Sequence, residues 1–148
     1  MEKIRLGIVG MGVQGSLYAA ILAGAQLPHF GKCRQPEGCE LTAVSSRSRD
    51  TEQKAKALGA AWFSDWKDMV NSGLCDGIII TVPHYLHHEV ACYALKAGLH
   101  VLCEKPAGVR VSDVKKMLAA RGDLTLAMIL NQRTNPLFRR IKALGCFR

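Results

Sequence analysis

Gly10-Met11-Gly12-Val13-Gln14-Gly15 sits directly between an apolar run, Ile4 to Val9, and an apolar-periodic stretch, Leu17 to Leu22. A G-x-G-x-x-G pattern means little in isolation. Between a buried strand and the start of a helix it is specific, because each glycine then answers a separate need. Gly10 can take a tight turn that a side chain would forbid. Gly12 leaves the backbone bare, so that a diphosphate can approach peptide N–H groups, and Gly15 lets the helix lie close on the strand. The helix N-terminus adds unpaired donors and a partial positive charge. The whole turn, with Met11, Val13 and Gln14 in it, therefore predicts a dinucleotide site at the first crossover.

Outward from that turn, strand-like and helical runs alternate. The spacing predicts strands over 3–9, 40–46, 61–63, 76–82, 100–103 and 124–129, with helices over 13–24, 50–58, 65–71, 86–97, 112–120 and 136–144. Asp50 is the expected N-cap of the second helix, and Asn135-Pro136 reads as N-cap and first residue of the last one. Gly77-Ile78-Ile79-Ile80-Thr81-Val82 is apolar nearly throughout instead of alternating, as a parallel strand covered on both faces should be. The expected fold is α/β: a Rossmann-type, doubly wound, mostly parallel sheet with helices on both faces. In such sheets ligands collect at the carboxyl ends of the strands, which directs attention to the residues after Val9, Ser46, Val82, Cys103 and Ile129. Gln26 to Cys39, punctuated by Pro28, Gly31, Pro36 and Gly38, reads as a long loop.

At 148 residues, 49% hydrophobic and 22% charged, the chain has the size and balance of one globular domain. No apolar run approaches the roughly 20 residues of a membrane-spanning helix, and Met-Glu-Lys-Ile-Arg opens no signal peptide. A cytoplasmic protein with no membrane partner is expected. The net charge of +8 raises the question of nucleic acid, but Arg34, Lys54, Lys56, Lys96, Lys115 and Lys116 are scattered, without a recognition motif or aromatic platform. Affinity for a phosphorylated small ligand explains the charge more simply, and no nucleic-acid partner is expected. Six cysteines (33, 39, 75, 92, 103 and 146) have neither disulfide-framework nor metal-pair spacing, and Cys75, Cys92 and Cys103 read as small core residues within strands or helices.

The end of the second strand bears on which dinucleotide is held. A site for NAD usually places an acid there to accept from the ribose hydroxyls. Here the chain reads Ser45-Ser46-Arg47-Ser48-Arg49, with no acid before Asp50. Hydroxyls and guanidinium groups suit a 2′-phosphate, to which Arg can bond bidentately. The expected cofactor is NADP in preference to NAD, with Arg47 as the foremost contact and Ser46 and Arg49 behind it. The alternative is NAD held through Ser46, with both arginines solvated.

Two later strand ends also carry chemistry. Thr81-Val82-Pro83-His84-Tyr85-Leu86-His87-His88 follows one, and Glu104-Lys105-Pro106 the other. Lys105 has two readings: a surface lysine paired with its neighbour Glu104, or an amine that holds a substrate oxygen beside the nicotinamide. Its coupling to the glycine turn favours the second. His84 and His88 are spaced like metal ligands on a helix, but helix-start solvation or ribose contact is the expected fate and no metal is expected.

Gly10 to Gly15, Thr81-Val82-Pro83 with His87, and the stretch Ala97-Gly98-Leu99-His100-Val101-Leu102-Cys103-Glu104-Lys105-Pro106 together resemble the N-terminal domain of the glucose–fructose oxidoreductase / inositol dehydrogenase (Gfo/Idh/MocA) family. Asn131-Gln132-Arg133 and Asn135-Pro136 are similar to that family's closing segment. The resemblance implies an NAD(P)-dependent oxidoreductase acting on a secondary alcohol of a sugar, cyclitol or related compound. It implies that Lys105 is the catalytic lysine, that Glu104 shapes the nicotinamide pocket, and that Thr81, Val82, Pro83, His84, His87, Arg133 and Lys105 itself join the cofactor contacts. His84 stands where the family usually has Asn, and imidazole replaces only part of an amide's hydrogen bonding. The family adds a sheet-rich substrate domain, so residues 1–130 are expected to form the dinucleotide-binding domain and 131–148 the start of the connection. A non-catalytic NAD(P)-binding sensor or interaction module, or an inactive truncated copy, is the alternative. Without that second domain, apolar surface around Leu137, Phe138, Ile141 and Phe147 is expected, and with it self-association into a homo-oligomer.

Overall fold

The structure is a computed structural model and describes residues 2–27 and 31–145; Pro28, Cys146 and Phe147, named above, lie outside them. In chain order the elements are β1 (Ile4–Val9), α1 (Val13–Leu22), β2 (Gln26–Leu27), β3 (Gly31–Lys32), β4 (Cys39–Ser45), α2 (Asp50–Ala57), β5 (Ala61–Phe63) and α3 (Trp66–Asn71). Then follow β6 (Gly77–Ile80), a 3-10 turn at His84–Leu86, α4 (His87–Lys96), β7 (His100–Cys103), α5 (Val111–Ala120), β8 (Leu126–Met128), α6 (Asn131–Thr134) and α7 (Pro136–Ala143). Six strands form one sheet in the order β5-β4-β1-β6-β7-β8, every pair parallel. The chain winds outward from β1 in one direction, then returns to start again at β6. The order thus reverses between β1 and β6, where such sheets open a crevice.

Side-chain alternation divides the core into two layers. Ile78 and Ile80 pack with Val90, Ala94 and Leu95 of α4, Met117 of α5 and Met69 of α3. Ile79 and Ile8 pack on the opposite face with Ala19 and Leu22 of α1 and Ala55 of α2. A strand buried on both faces needs apolar residues at consecutive positions, which is why β6 reads as an uninterrupted apolar run. Glycine is required within β1 as well: a Cβ on Gly7 would come within 2.7 Å of Cys75 Sγ.

Several boundaries differ from the sequence reading. β6 ends at Ile80, two residues short of Val82, because Thr81 turns its hydroxyl onto the carbonyls of Val9 and Gly10 (3.1 and 2.6 Å) and Pro83 has no N–H for a ladder. Asp50 does not cap α2; it is the first helical residue, and Arg49 occupies the cap position without a side-chain bond. α5 starts at Val111, ahead of Ser112, and its N-terminus is closed by Asp113 Oδ2, which accepts from the Arg110 N–H at 3.1 Å. Asn135 does cap α7, accepting from the Leu137 N–H at 2.9 Å. The long loop contains a small antiparallel hairpin, β2 with β3, that composition alone conceals. Cys75 is buried as expected but lies in the turn before β6, not inside a strand.

Candidate dinucleotide-binding site

Parallel register aligns the carboxyl ends. Val9 pairs with Ser45 on one side and Ile80 on the other, Ile80 pairs with Cys103, and Cys103 with Met128. The first residue after each strand continues the ladder. Gly10 N–H donates to Ser45 O, Thr81 N–H to Val9 O, Glu104 N–H to Ile80 O and Ile129 N–H to Cys103 O, each at 2.9 Å. Segments dozens of residues apart in sequence are thereby set in one row: Ser46, Gly10, Thr81, Glu104, Ile129.

Within that row the three glycines have three environments. Gly10 has φ +97°, a conformation that L side chains rarely adopt. Gly15 is buried, and a Cβ there would overlap the Gly10 carbonyl oxygen and lie 2.7 Å from Thr81 Oγ1. Gly12 has nothing within 4 Å of its missing Cβ. It is the N-cap of α1 and has no side chain to bond the first-turn amides. Those amides have no carbonyl one turn back. Bare backbone, first-turn amides and open space thus coincide at Gly12, Val13 and Gln14, while half-buried Met11 packs against the core layer of Ile8 and Ile79.

At the end of β4, Ser45 is buried, Ser46 is half-buried, and Arg47 and Arg49 are exposed. Ser46 Oγ accepts from the Ser48 N–H at 3.3 Å, and the Ser48 hydroxyl donates to Asp50 Oδ2 at 3.4 Å, so the nearest acid is turned toward its own helix start. Among the described residues neither arginine takes part in an ion pair.

The β7 end is more constrained. Glu104 is buried at 7% exposure; its Oε1 accepts from the Tyr18 hydroxyl at 2.6 Å and its Oε2 from the Lys105 N–H at 2.9 Å. Lys105 itself is exposed, and among the described residues its amine makes no ion pair. The Glu104 carboxylate is bonded to the Tyr18 hydroxyl and the Lys105 N–H, and among the described residues it forms no ion pair with the Lys105 amine. Burial, with Tyr18's bond to Glu104 adding to it, pushes the phenol up to about 12. Burial foremost, and then the charge of Glu104, raises the Cys103 thiol to about 12 as well. Both groups stay protonated through the neutral range.

His87 corrects the sequence reading. Expected to line the cofactor cleft, it is fully buried, with Nδ1 at 2.7 Å from Pro106 O and Nε2 at 2.9 Å from Val82 O. It ties the loop after β6 to the loop after β7 from beneath. Exposed His84 meets it edge-to-face, with centroids 5.7 Å apart. Pro83 is exposed and Val82 half-buried at the mouth of the row. Among the described residues no three His, Cys, Asp or Glu side chains form a metal-binding group. Arg133 lies on α6, lining a cavity of about 410 Å³ with Phe138, Arg139 and Lys142.

Tyr18 was missed by the sequence reading. A signal existed: it lies three residues after Gly15, on the helix flank that turns toward the strand ends. An aromatic with a polar tip just off the buried stripe of α1 commonly finds a buried partner.

The family model described as "Oxidoreductase family, NAD-binding Rossmann fold" matches residues 4–129. The chain is 41% identical over 86 residues to a scyllo-inositol 2-dehydrogenase (NADP(+)) of Bacillus subtilis (strain 168), covering 57% of this chain and 26% of that protein. Identity to the inositol 2-dehydrogenase of Salmonella typhimurium is 31% over 120 residues, covering 79% and 33%. The crystal structure of scyllo-inositol dehydrogenase from Lactobacillus casei, with bound NAD(H) and scyllo-inositol, superposes with a TM-score of 0.84 at 27% identity, covering 98% of this chain and 41% of that one. The chain thus spans between 26% and 41% of the length of these three proteins. By the glycine turn, the reversal of strand order at β1 and β6 and the family match over nearly its whole length, the chain belongs to the Gfo/Idh/MocA oxidoreductases and carries their NAD-binding Rossmann fold.

Proposed function

We propose that residues 1–130 form the NAD(P)-binding domain of an oxidoreductase acting on a secondary alcohol of a sugar, cyclitol or related polyol. Residues 131–148 then begin the connection to its substrate domain. The observation that carries this reading is the row of strand ends, which sets the open backbone at Gly12 and the exposed Lys105 on one edge of the sheet. The names of the inositol dehydrogenases to which the chain is similar support the polyol class.

The residues present fit a dinucleotide. Gly12, Val13 and Gln14 offer amides to the diphosphate. When bound, the nicotinamide supplies the hydride chemistry. The chain's own contribution is positional. Lys105 holds the substrate oxygen and stabilises negative charge developing on it, while Glu104, turned inward, fixes the peptide that carries that lysine. Thr81 and Pro83 shape the mouth of the cleft, and His87 acts through the two loops that it joins.

NADP is the preferred cofactor in this reading. No acid lies between the end of β4 and Asp50, and Arg47, with Arg49 and the Ser46 hydroxyl behind it, suits a 2′-phosphate. The Bacillus relative's name specifies NADP(+), although the Lactobacillus structure holds NAD(H). Titrating NADPH and NADH against the wild type and Arg47→Ala tests the preference. The expected result is a loss of about one to two decades in NADPH affinity on substitution, with NADH unchanged. Equal affinity of the wild type for both nucleotides rejects it. Loss of polyol turnover in Lys105→Ala at unchanged NADPH affinity would support the catalytic role, and NADPH binding without turnover on any polyol would support a sensor.

A further inference from the structure

We propose that Tyr18 is a positioning residue that fastens the Lys105 loop to the helix opening at the glycine turn. The inference deepens the function proposed above and shares its assignment of Lys105. Its geometry is a chain of two hydrogen bonds that begins on α1 and ends at the lysine's own peptide. The Tyr18 hydroxyl donates to Glu104 Oε1 at 2.6 Å, and Glu104 Oε2 accepts from the Lys105 N–H at 2.9 Å.

Three observations give the link weight. Glu104 is nearly fully buried, and a buried carboxylate needs donors on its oxygens; these are the two that the structure provides. Hydrogen bonds to an ionised acceptor are the stronger kind, and 2.6 Å is short for O–H···O. The phenol, raised to about 12, keeps its proton and remains a donor through the neutral range. The backbone of Lys105 has another restraint nearby, since Pro106 O receives His87 from below. Tyr18 supplies the restraint from the α1 side. A nucleotide phosphate settling at the first turn of α1 would therefore act on the same helix that holds Lys105 in register. The helix extends only from Val13 to Leu22, so Tyr18 is little more than one turn from the glycines.

The test uses the 148-residue chain without nucleotide, comparing amide hydrogen exchange by NMR in the wild type and Tyr18→Phe. Phenylalanine keeps the ring and its packing and removes only the hydroxyl. Exchange at the Lys105 amide should accelerate at least about ten-fold, the size expected from one charge-assisted hydrogen bond, while Val9 and Ile80 stay as protected as before. In a double-mutant cycle with Glu104→Ala, the effects at Lys105 should be strongly non-additive. Unchanged Lys105 protection in Tyr18→Phe, or additivity in the cycle, overturns the proposal. Because these readings are taken on the free chain, failure to bind NADPH would count against the proposed function and leave the tether measured independently. Where NADPH does bind, it should slow Lys105 exchange in the wild type and do so less in Tyr18→Phe; equal slowing in both would overturn the coupling.

Discussion

Single positions in the glycine turn show how one motif can combine unlike requirements. Gly15 is a packing residue, because its α-carbon faces the Gly10 carbonyl too closely for any side chain. Gly12 is an access residue, with open space where a Cβ would stand. The two should therefore respond oppositely to alanine. Gly15→Ala should cost about 3 kcal/mol or more, or prevent folding, since the backbone it strikes cannot move aside. Gly12→Ala should change stability by less than about 1 kcal/mol and weaken nucleotide binding instead. Urea denaturation beside an NADPH titration checks both, and equal destabilisation by the two would contradict the assignment. Ionisation offers a second residue-level prediction. Cys103 in the folded chain ionises at about 12, against an ordinary value of 9.0, and Tyr18 at about 12, against 10.0. Their neutral forms are favoured by folding, so their contribution is complete below about pH 9 and is lost as pH rises toward 12. The urea midpoint should fall above pH 9, and Cys103→Ala should flatten the fall; an unchanged slope would count against burial as its cause.

Elements were legible where their signal is local. Every main strand and long helix was visible as periodicity, because a strand covered on both faces cannot hide its apolar run and a surface helix cannot hide its stripe. Ends were less visible, since a cap is chosen by side-chain geometry and several polar residues compete near each one. α5 illustrates this. Ser112 is the better cap by composition, yet Asp113 makes the bond. Asp113→Ala should cost about 1–2 kcal/mol in urea denaturation, and Ser112→Ala almost nothing. A larger loss from Ser112 would contradict this assignment. The β2–β3 hairpin was hidden for a different reason: two residues per strand are too few to show any period.

On the scale of the whole molecule, apolar surface remains at the carboxyl-terminal side. Leu137 and Phe138 of α7 are 63% and 43% exposed and Leu144, just past the helix, 63%, beside Arg139, Arg140 and Lys142. Such a face is expected to associate. Light scattering should show the mass of the chain rising with concentration, and Leu137→Lys with Phe138→Lys should suppress the rise. A monomer of constant mass across the range would speak against it. The charge on the same helix should keep this association reversible and sensitive to salt.

The sequence by itself determined the alternation of strands and helices, the glycine turn and its ligand class, and the positions of Ser46, Arg47, Thr81, Glu104 and Lys105 after their strands. These follow from local rules, since periodicity, turn chemistry and strand-end position are written within a few residues of one another. Only the tertiary structure decided that His87 is buried between two carbonyls and that Tyr18 reaches Glu104. Those facts depend on which segments the parallel register brings side by side. Residues 18 and 104 meet because β1, β6 and β7 end level with one another, and no pattern within either segment encodes that distance.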